Sequence, residues 1–383
     1  MSEIKVNSIK GVGASSAAIT VNNTDGTCTA NLSNRQNRNL VINGAMQVAQ
    51  RGTSSTGLGA SAGYFTLDRY RATFSSTAGR LTMSQVADVH DGFANAMKLE
   101  CTTADTSIGS SEYFILQHKF EGQDLQQLKK GSSDAEEFTV SFYVKGNANA
   151  TYVVEMYDLD NNRQVGKTFS VTTSWTRVVL TFPADTTGAL DDDNAASLQL
   201  GIWLHAGSNY TSGTLATSWV SNVSAQRAGG ITSFFDSTDR TFFLTGLQME
   251  VGSVATDFEH RSYADEVKLC ERYFQTSFEK GQAPTHGLTK YVYRMTRPFA
   301  SNIVTGMGCE LRTEMRATPT TIIYTTSNGS NSTTNRVSYY DGSWTSAAIS
   351  IHESLNTKSI AFDGTLSSSA VLYQFNFTCE SEL

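Results

Sequence analysis

Clusters of lysine and arginine are missing from this sequence. Its 29 basic residues are outnumbered by 36 acidic ones, for a formal net charge of −7. Phosphate backbones are held by grouped cations, so nucleic acid is excluded as the main partner, while uncharged polar glycans stay open. Proline is scarce, confined to Pro183, Pro284, Pro298 and Pro319, which excludes a disordered proline-rich linker. The cysteines (Cys28, Cys101, Cys270, Cys309 and Cys379) are odd in number, widely spaced and without a CxxC pair. That pattern speaks against a zinc ribbon or a disulfide framework and for buried reduced thiols. No apolar run reaches the roughly 18 residues of a membrane span. The opening "MSEIKVNSIKGVGASSAAIT" lacks the apolar core of a signal peptide. A soluble protein made in a cytoplasm is expected.

Serine, threonine, asparagine and glycine fill the gap left by only 17% charged and 39% apolar residues. Strands with one solvated face use Thr, Ser and Asn there, and frequent tight turns need Gly. The 383 residues exceed one ordinary core and imply two domains or more.

Four regions follow from the pattern. Residues 1–38 carry few charges and no aromatic ring, and cannot bury a core alone. They read either as a loose tail or as an arm adding its backbone to another chain's sheet edge, and the low charge favours the arm. Residues 39–260 open on "NLVINGAMQVAQRG", with an apolar run and an Asn43-Gly44 hairpin-type turn. Nine or so strand-like runs separated by turn signals then predict a jelly-roll β-sandwich. Residues 261–280 hold the strongest helical pattern, "SYADEVKLCERYF", expected to be helical from about Ala264 to Phe274. Val267, Cys270 and Phe274 share one stripe, Leu269 and Tyr273 lie on the adjoining one, and Ser262 caps the start. Residues 281–383 read as a smaller, aromatic-rich β domain with a hairpin signal at Tyr339-Tyr340-Asp341-Gly342. Its last strand alternates, with Tyr373, Phe375, Phe377 and Cys379 on one side. The fold class is therefore all-β: a jelly roll, a short joining helix, a C-terminal β unit and an extended N-terminal β arm.

The stretch "TGLQMEVGSVATDFEHRSYADEVKLCERYF" (Thr245 to Phe274) resembles a segment of phage and prophage tail-fibre-like virion proteins. Their pattern runs T-G-x-Q-L-E-x-G-x-x-A-T-x-F-E-x-R-S-Y, then a short helix ending C-x-R-Y-F/Y. Met249 stands where Leu is usual and Asp257 where Pro is common. "NLVINGAMQVAQRG", "FTLDRYR", "SVTTSWTRVVLTFPADTTG", "LGIWLHAGSNYTS" and "EMRATPTT" match further motifs in order, so the resemblance covers about residues 39–325. It implies a virion protein with a jelly roll like a carbohydrate-binding module, trimers, attachment to the host surface and no catalysis. In that reading residues 1–38 dock on other virion proteins, such as a tail adaptor or nozzle, and the C-terminal domain presents a tip to host-surface glycan. A capsid-decorating or head-fibre protein, or a purely structural tail component, is the competing reading. A glycan depolymerase is the third.

Candidate chemistry is weighed against plainer roles. Glu259-His260-Arg261 has residue types that suit acid–base catalysis, which needs groups converging on one point. Adjacent side chains of an extended run face opposite ways, so the run reads as a junction. Phe258 is expected to be buried, with Arg261 paired to Glu259 or a helix-end carbonyl. "DLDNNR" (Asp158 to Arg163) starts like a calcium loop but lacks the later ligands and reads as a hairpin turn. Asp191, Asp192 and Asp193 crowd three carboxylates. A structural calcium ion would relieve that repulsion, and an exposed solvated loop is the alternative. No other cofactor is implied, and no carboxylate pair or G-x-S-x-G elbow stands out. Trp175, Trp203 and Trp219 read as core residues. Tyr210, Tyr339, Tyr340 and Trp344, near predicted loops, are the candidate sugar-stacking platforms.

Overall fold

The computed structural model describes residues 6–10, 12, 19–21, 24, 28–30, 37–290, 292–296, 303–326, 335–351, 356–365 and 372–383. Much of the expected docking arm therefore lies outside the described residues, as do positions 297–300 of the expected C-terminal β domain. Within the arm, Ser8–Ile9, Ile19–Val21 and Cys28–Ala30 pair with one another as a small antiparallel sheet.

Two antiparallel sheets form the sandwich. One runs in the order Thr176–Phe182, Phe138–Gly146, Thr241–Val251, Ala96–Thr103, Arg80–Val86, Ser54–Leu58. The other runs Val220–Ser221, Arg163–Val171, Ala150–Asp158, Ala196–Ala206, Tyr113–Glu121, Arg71–Ser75, Gly63–Tyr64. Alternation of side chains explains the layering. Leu81, Met83, Met97, Leu99, Val140, Phe142, Val144 and Leu244 of the first sheet meet Phe114, Leu116, Val154, Met156, Leu200 and Ile202 of the second in one core. Ala196–Ala206 is buried on both faces, because Ile115, Val153 and Trp203 form a second cluster with Ala228 on the far side. This is the jelly-roll sandwich expected for residues 39–260. The additional strands, such as Ser54–Leu58 and Arg71–Ser75, are short and polar-rich, which hid them among turn signals.

The segment around Asn43 departs from expectation. No strands flank it, so it makes no hairpin. Asn43 has a left-handed backbone (φ 61°), which Asn tolerates better than most residues. Its buried amide braces the chain by bonding both backbone groups of Val48 and the carbonyl of Asp68. Gly44 is required by close approach: a Cβ there would sit 2.1 Å from the Leu247 carbonyl oxygen.

The helix spans Tyr263–Glu271, with the Asp265 amide donating to the Ser262 hydroxyl as the expected cap. Among the described residues no helix is long and apolar enough to cross a membrane. The helix stops before Phe274, which instead begins the strand Phe274–Thr276, paired with the end of Leu372–Glu380. Ladder bonding to a strand about a hundred residues later overrides the helical period. Val267 and Cys270 face Val48, Tyr273 is buried, and Leu269 is exposed.

The C-terminal sheet is organised by Leu372–Glu380, which also pairs with Tyr293–Thr296, Thr320–Tyr324 and Arg336–Tyr340. Tyr373, Phe375, Phe377 and Cys379 enter its core, where the alternation alone allowed either a core or a subunit interface. The opposite face is buried as well and is polar: Gln374 donates to Thr326, and Asn376 bonds Ser277 and the Leu288 carbonyl. Cys101, Cys270, Cys309 and Cys379 are free thiols.

Candidate functional sites

The Thr245–Phe274 stretch builds a seam between the sandwich, the helix and the C-terminal sheet. Gln248 and Glu250 lie on the strand Thr241–Val251, which fixes their direction. The Gln248 side-chain carbonyl accepts from the Glu259 amide, and the Glu250 carboxylate accepts from the backbone and hydroxyl of Thr256, folding the chain back on the strand. The Glu259 carboxylate accepts from the Asn39 amide at 2.8 Å. Arg261 does not pair with Glu259. Its guanidinium donates to the carbonyls of Asn39 and Val41 and lies 3.5 Å from Glu266. The extended backbone sends Glu259 and Arg261 to different parts of the same incoming segment.

Phe258 is half-buried rather than buried, with its ring against Phe93 (5.1 Å) and His260 (4.8 Å). His260 is exposed and also touches Phe93. The three rings pack at the edge of the sandwich, where solvent reaches one side.

The deeper half of the seam escaped sequence reasoning. Arg69 is 1% exposed, has a left-handed backbone, and lies 3.4 Å from the Tyr273 ring centre. It pairs with Glu382, which Arg51 also reaches at 3.1 Å. Arg51 stacks over Phe274 and lies 3.5 Å from buried Asp68. Burial pushes the Asp68 carboxyl up to about 6, against the opposing pull of Arg51 and the Gln50 hydrogen bonds. Glu121 takes two bonds of 2.7 Å from Arg272 and one from the Tyr273 hydroxyl. Burial would raise the Glu121 carboxyl, but those bonds hold it below the usual carboxylate range. The motif "LDRY" was the only sequence signal for Arg69, because its partner is more than 300 residues away.

An open groove of about 810 Å³ lies along this seam, lined by Glu259, His260, Arg261, Arg272 and Arg312 among others. Several of its charges are already engaged: Arg272 holds Glu121 and Arg312 holds Glu271 at 2.8 Å. Glu259 and Arg261 are tied to backbone groups as described. No free carboxylate pair converges on the groove.

The Asp158–Arg163 turn is a hairpin turn between Ala150–Asp158 and Arg163–Val171. Its acidic charge is met by a side chain, since the Lys130 ammonium lies 2.5 Å from Asp158 and 3.0 Å from Asp185. Asp191, Asp192 and Asp193 are exposed, as the solvated-loop alternative expects, and among the described residues they are not a group of converging ligand atoms. Consecutive residues of an irregular loop splay their like charges into solvent, and Asp193 spends one oxygen on the Ala195 amide. The loop does a docking job: Asn194 and Arg316 exchange bonds of 2.7 and 2.9 Å across to the C-terminal unit. Among the described residues, three metal-ligating side chains come within 4.8 Å of one another only at Asp105, Glu112 and His205.

The four candidate sugar platforms separate into two kinds. Tyr210 is half-buried on the short helix Ser208–Thr211, packed on Trp203 (5.3 Å) and Tyr113 (5.4 Å). Beneath it, Trp203 donates to Glu155, which also receives both forks of Arg227 at 2.7 Å. Tyr339 is half-buried against the C-terminal core. Tyr340 and Trp344 face each other across the hairpin of Arg336–Tyr340 and Trp344–Ile351, with ring centres 5.5 Å apart. They are 38% and 43% exposed, and with Tyr263 they are the exposed large aromatic residues among those described. Trp203 is fully buried and Trp219 packs on the sandwich core, as read from sequence.

The sheets and their core define an all-β jelly-roll sandwich with a second β unit joined by a short helix. No family model matches the chain, and no curated protein matches it in sequence. Among solved structures it is similar to a carbohydrate-binding module described as "CBM4 structure and function", at 12% identity over 55% of this chain and 97% of that one (TM-score 0.29). It is also similar to the CBM22-1 xylan-binding domain of Paenibacillus barcinonensis Xyn10C, at 13% identity over 57% and 96% (TM-score 0.28). A third similarity is to the enzymatically active domain of bacteriophage CBA120 tailspike protein 4, at 11% identity over 56% of this chain and 21% of that one (TM-score 0.31).

Proposed function

We propose that this chain is a non-catalytic bacteriophage virion protein, a tail-fibre-type appendage that contacts host-surface glycan. It assembles as a homotrimer and docks on other virion proteins through residues 1–38. The observation that carries this reading is the use to which the tail-fibre-like motifs are put. Asn39, Asn43, Gln50, Asp68, Arg69, Gln248, Glu250, Glu259, Arg261 and Tyr273 all come from those motifs, and each bonds one segment of the seam to another. Groups engaged in this way make a stiff joint between body and tip rather than a reaction centre.

Glycan contact is assigned to Tyr340 and Trp344, whose exposed rings can stack on sugar faces. Each ring contributes on the order of 1 kcal/mol, so a single site is weak and three copies gain by avidity. The sequence holds no cluster of Lys and Arg, so binding depends little on salt. The test is adsorption of purified protein to host cells, for wild type, Tyr340→Ala and Trp344→Ala, at low and high salt. Loss in folded variants supports the assignment. Undiminished adsorption by both removes the hairpin as the receptor site. If the wild type adsorbs to no host, the purely structural appendage replaces this reading. Sedimentation should give about three times 41.6 kDa, and a clean monomer at micromolar concentration refutes the trimer.

A further inference from the structure

At one end of the sandwich, three segments bring together side chains that the seam and the tip do not use. Asp105 follows the strand Ala96–Thr103 of the first sheet, and Glu112 precedes Tyr113–Glu121 of the second. His205 lies near the end of Ala196–Ala206, just past an irregularity in its pairing with Tyr113–Glu121. One ligand atom from each lies within 4.8 Å of the other two. Asp105 is 5% exposed and His205 0%.

The bonding around the cluster is lopsided. The Asp105 carboxylate is oriented by the Thr77 hydroxyl and the Ala78 amide, both donating to Oδ2 at 2.8 Å. His205 Nδ1 lies 2.8 Å from the Ser233 hydroxyl, whose oxygen also accepts from the Phe235 amide. His205 Nε2 and Glu112 Oε2 are buried, have no hydrogen-bond partner, and point at each other across 3.6 Å. A buried imidazole nitrogen and two carboxylates facing one space are costly unless a cation sits among them. The ring of Phe235, 5.3 Å from His205, closes one side, and the Glu112 side chain, 14% exposed, leaves access from solvent.

We propose that Asp105, Glu112 and His205 form a binding site for a divalent transition-metal ion of the zinc class, which ties the two sheets of the sandwich together. Zinc is held by imidazole nitrogen and carboxylate oxygen at roughly 2.0–2.2 Å, which sets neighbouring ligand atoms about 3.4 Å apart. The 3.6 Å between Nε2 and Oε2 is close to that spacing. With Nδ1–H donating to Ser233, Nε2 presents its lone pair to the ion, the arrangement that ligating histidines adopt. Three protein ligands leave the fourth position to water. Calcium prefers six to eight oxygen ligands, which this site does not offer. The ion adds a cross-link to the bonds already there, such as Asp105 N–H to the Phe235 carbonyl and Gly207 N–H to the Glu112 carbonyl.

The full-length protein, stripped with chelator and dialysed, is titrated with Zn²⁺, Mn²⁺ and Ca²⁺ by calorimetry and followed by thermal unfolding. One Zn²⁺ per chain is expected, with Mn²⁺ weaker and Ca²⁺ not bound. Saturating Zn²⁺ should raise Tm on the order of 5 °C. Co²⁺ should give the visible bands of a four-coordinate nitrogen–oxygen site. Glu112→Ala and His205→Gln should each abolish the high-affinity site and the Tm rise, and Ser233→Ala should weaken it roughly tenfold. Glu112 is partly exposed, so its variant keeps the test valid if His205→Gln fails to fold. The proposal is overturned if wild type takes up no Zn²⁺, if Zn²⁺ leaves Tm unchanged, or if uptake is the same in Glu112→Ala.

Discussion

The seam and the Tyr340–Trp344 hairpin are built from the same kinds of residue, buried in the one and exposed in the other. At the seam, Arg69 and Arg51 lie over the rings of Tyr273 and Phe274, and their charges meet Glu382 and Asp68 out of water. At the tip, Tyr340 and Trp344 are about two-fifths exposed and touch chiefly each other. Residue type alone therefore does not separate the buried seam from the exposed hairpin. What separates them is whether polar and aromatic groups have been desolvated and saturated within the fold. A saturated group stabilises, and an exposed ring keeps its face for a ligand.

The comparison can be broken most sharply at Arg69. Arg69→Ala removes one partner of a buried ion pair and should cost about 3–5 kcal/mol in urea unfolding. A loss below 1 kcal/mol would mean that the seam is not the buried network described. Asp68 offers a test through pH. Its folded-state value of about 6 lies above that of an unfolded carboxylate, so the folded protein binds this proton more tightly. The contribution is fully present at low pH and is lost as pH rises from about 4 to about 6. The stability of wild type relative to Asp68→Asn should accordingly fall by on the order of 2 kcal/mol from pH 4 to pH 7. A rise over that range would contradict the assignment.

Smaller effects sharpen the same contrast. Phe258 is only half-buried, so Phe258→Ala should cost about 1–2 kcal/mol, less than a fully buried phenylalanine would. Tyr340→Ala, Trp344→Ala and His260→Ala should each shift stability by no more than about 0.5 kcal/mol, because their side chains are exposed. Thermal melts of all four variants would rank them. A large loss at Trp344 would move the hairpin into the structural class.

Local chemistry was legible in the sequence wherever a few neighbouring residues suffice. Ser262 caps the helix, and the alternation puts Tyr373, Phe375, Phe377 and Cys379 on one face of their strand. The Asp341-Gly342 signal marks a real hairpin, in which Gly342 takes φ 110°. Even the junction role of Glu259-His260-Arg261 follows from how an extended chain aims its side chains. Periodicity and turn preference act over short windows, and a sequence displays them directly.

Tertiary structure alone decided the rest. It ended the helix early by pairing Phe274 with Glu380, and it sent Arg261 to the Asn39 and Val41 carbonyls rather than to Glu259. It filled the acidic Asp158 turn with Lys130 and left the Asp191–Asp193 loop to dock through Asn194. It also gathered Asp105, Glu112 and His205, which share no motif spacing, at one end of the sandwich. Each of these outcomes joins residues distant in the chain or balances burial against charge. Such terms depend on which surfaces meet, and they exist only once the sheets have closed on their core.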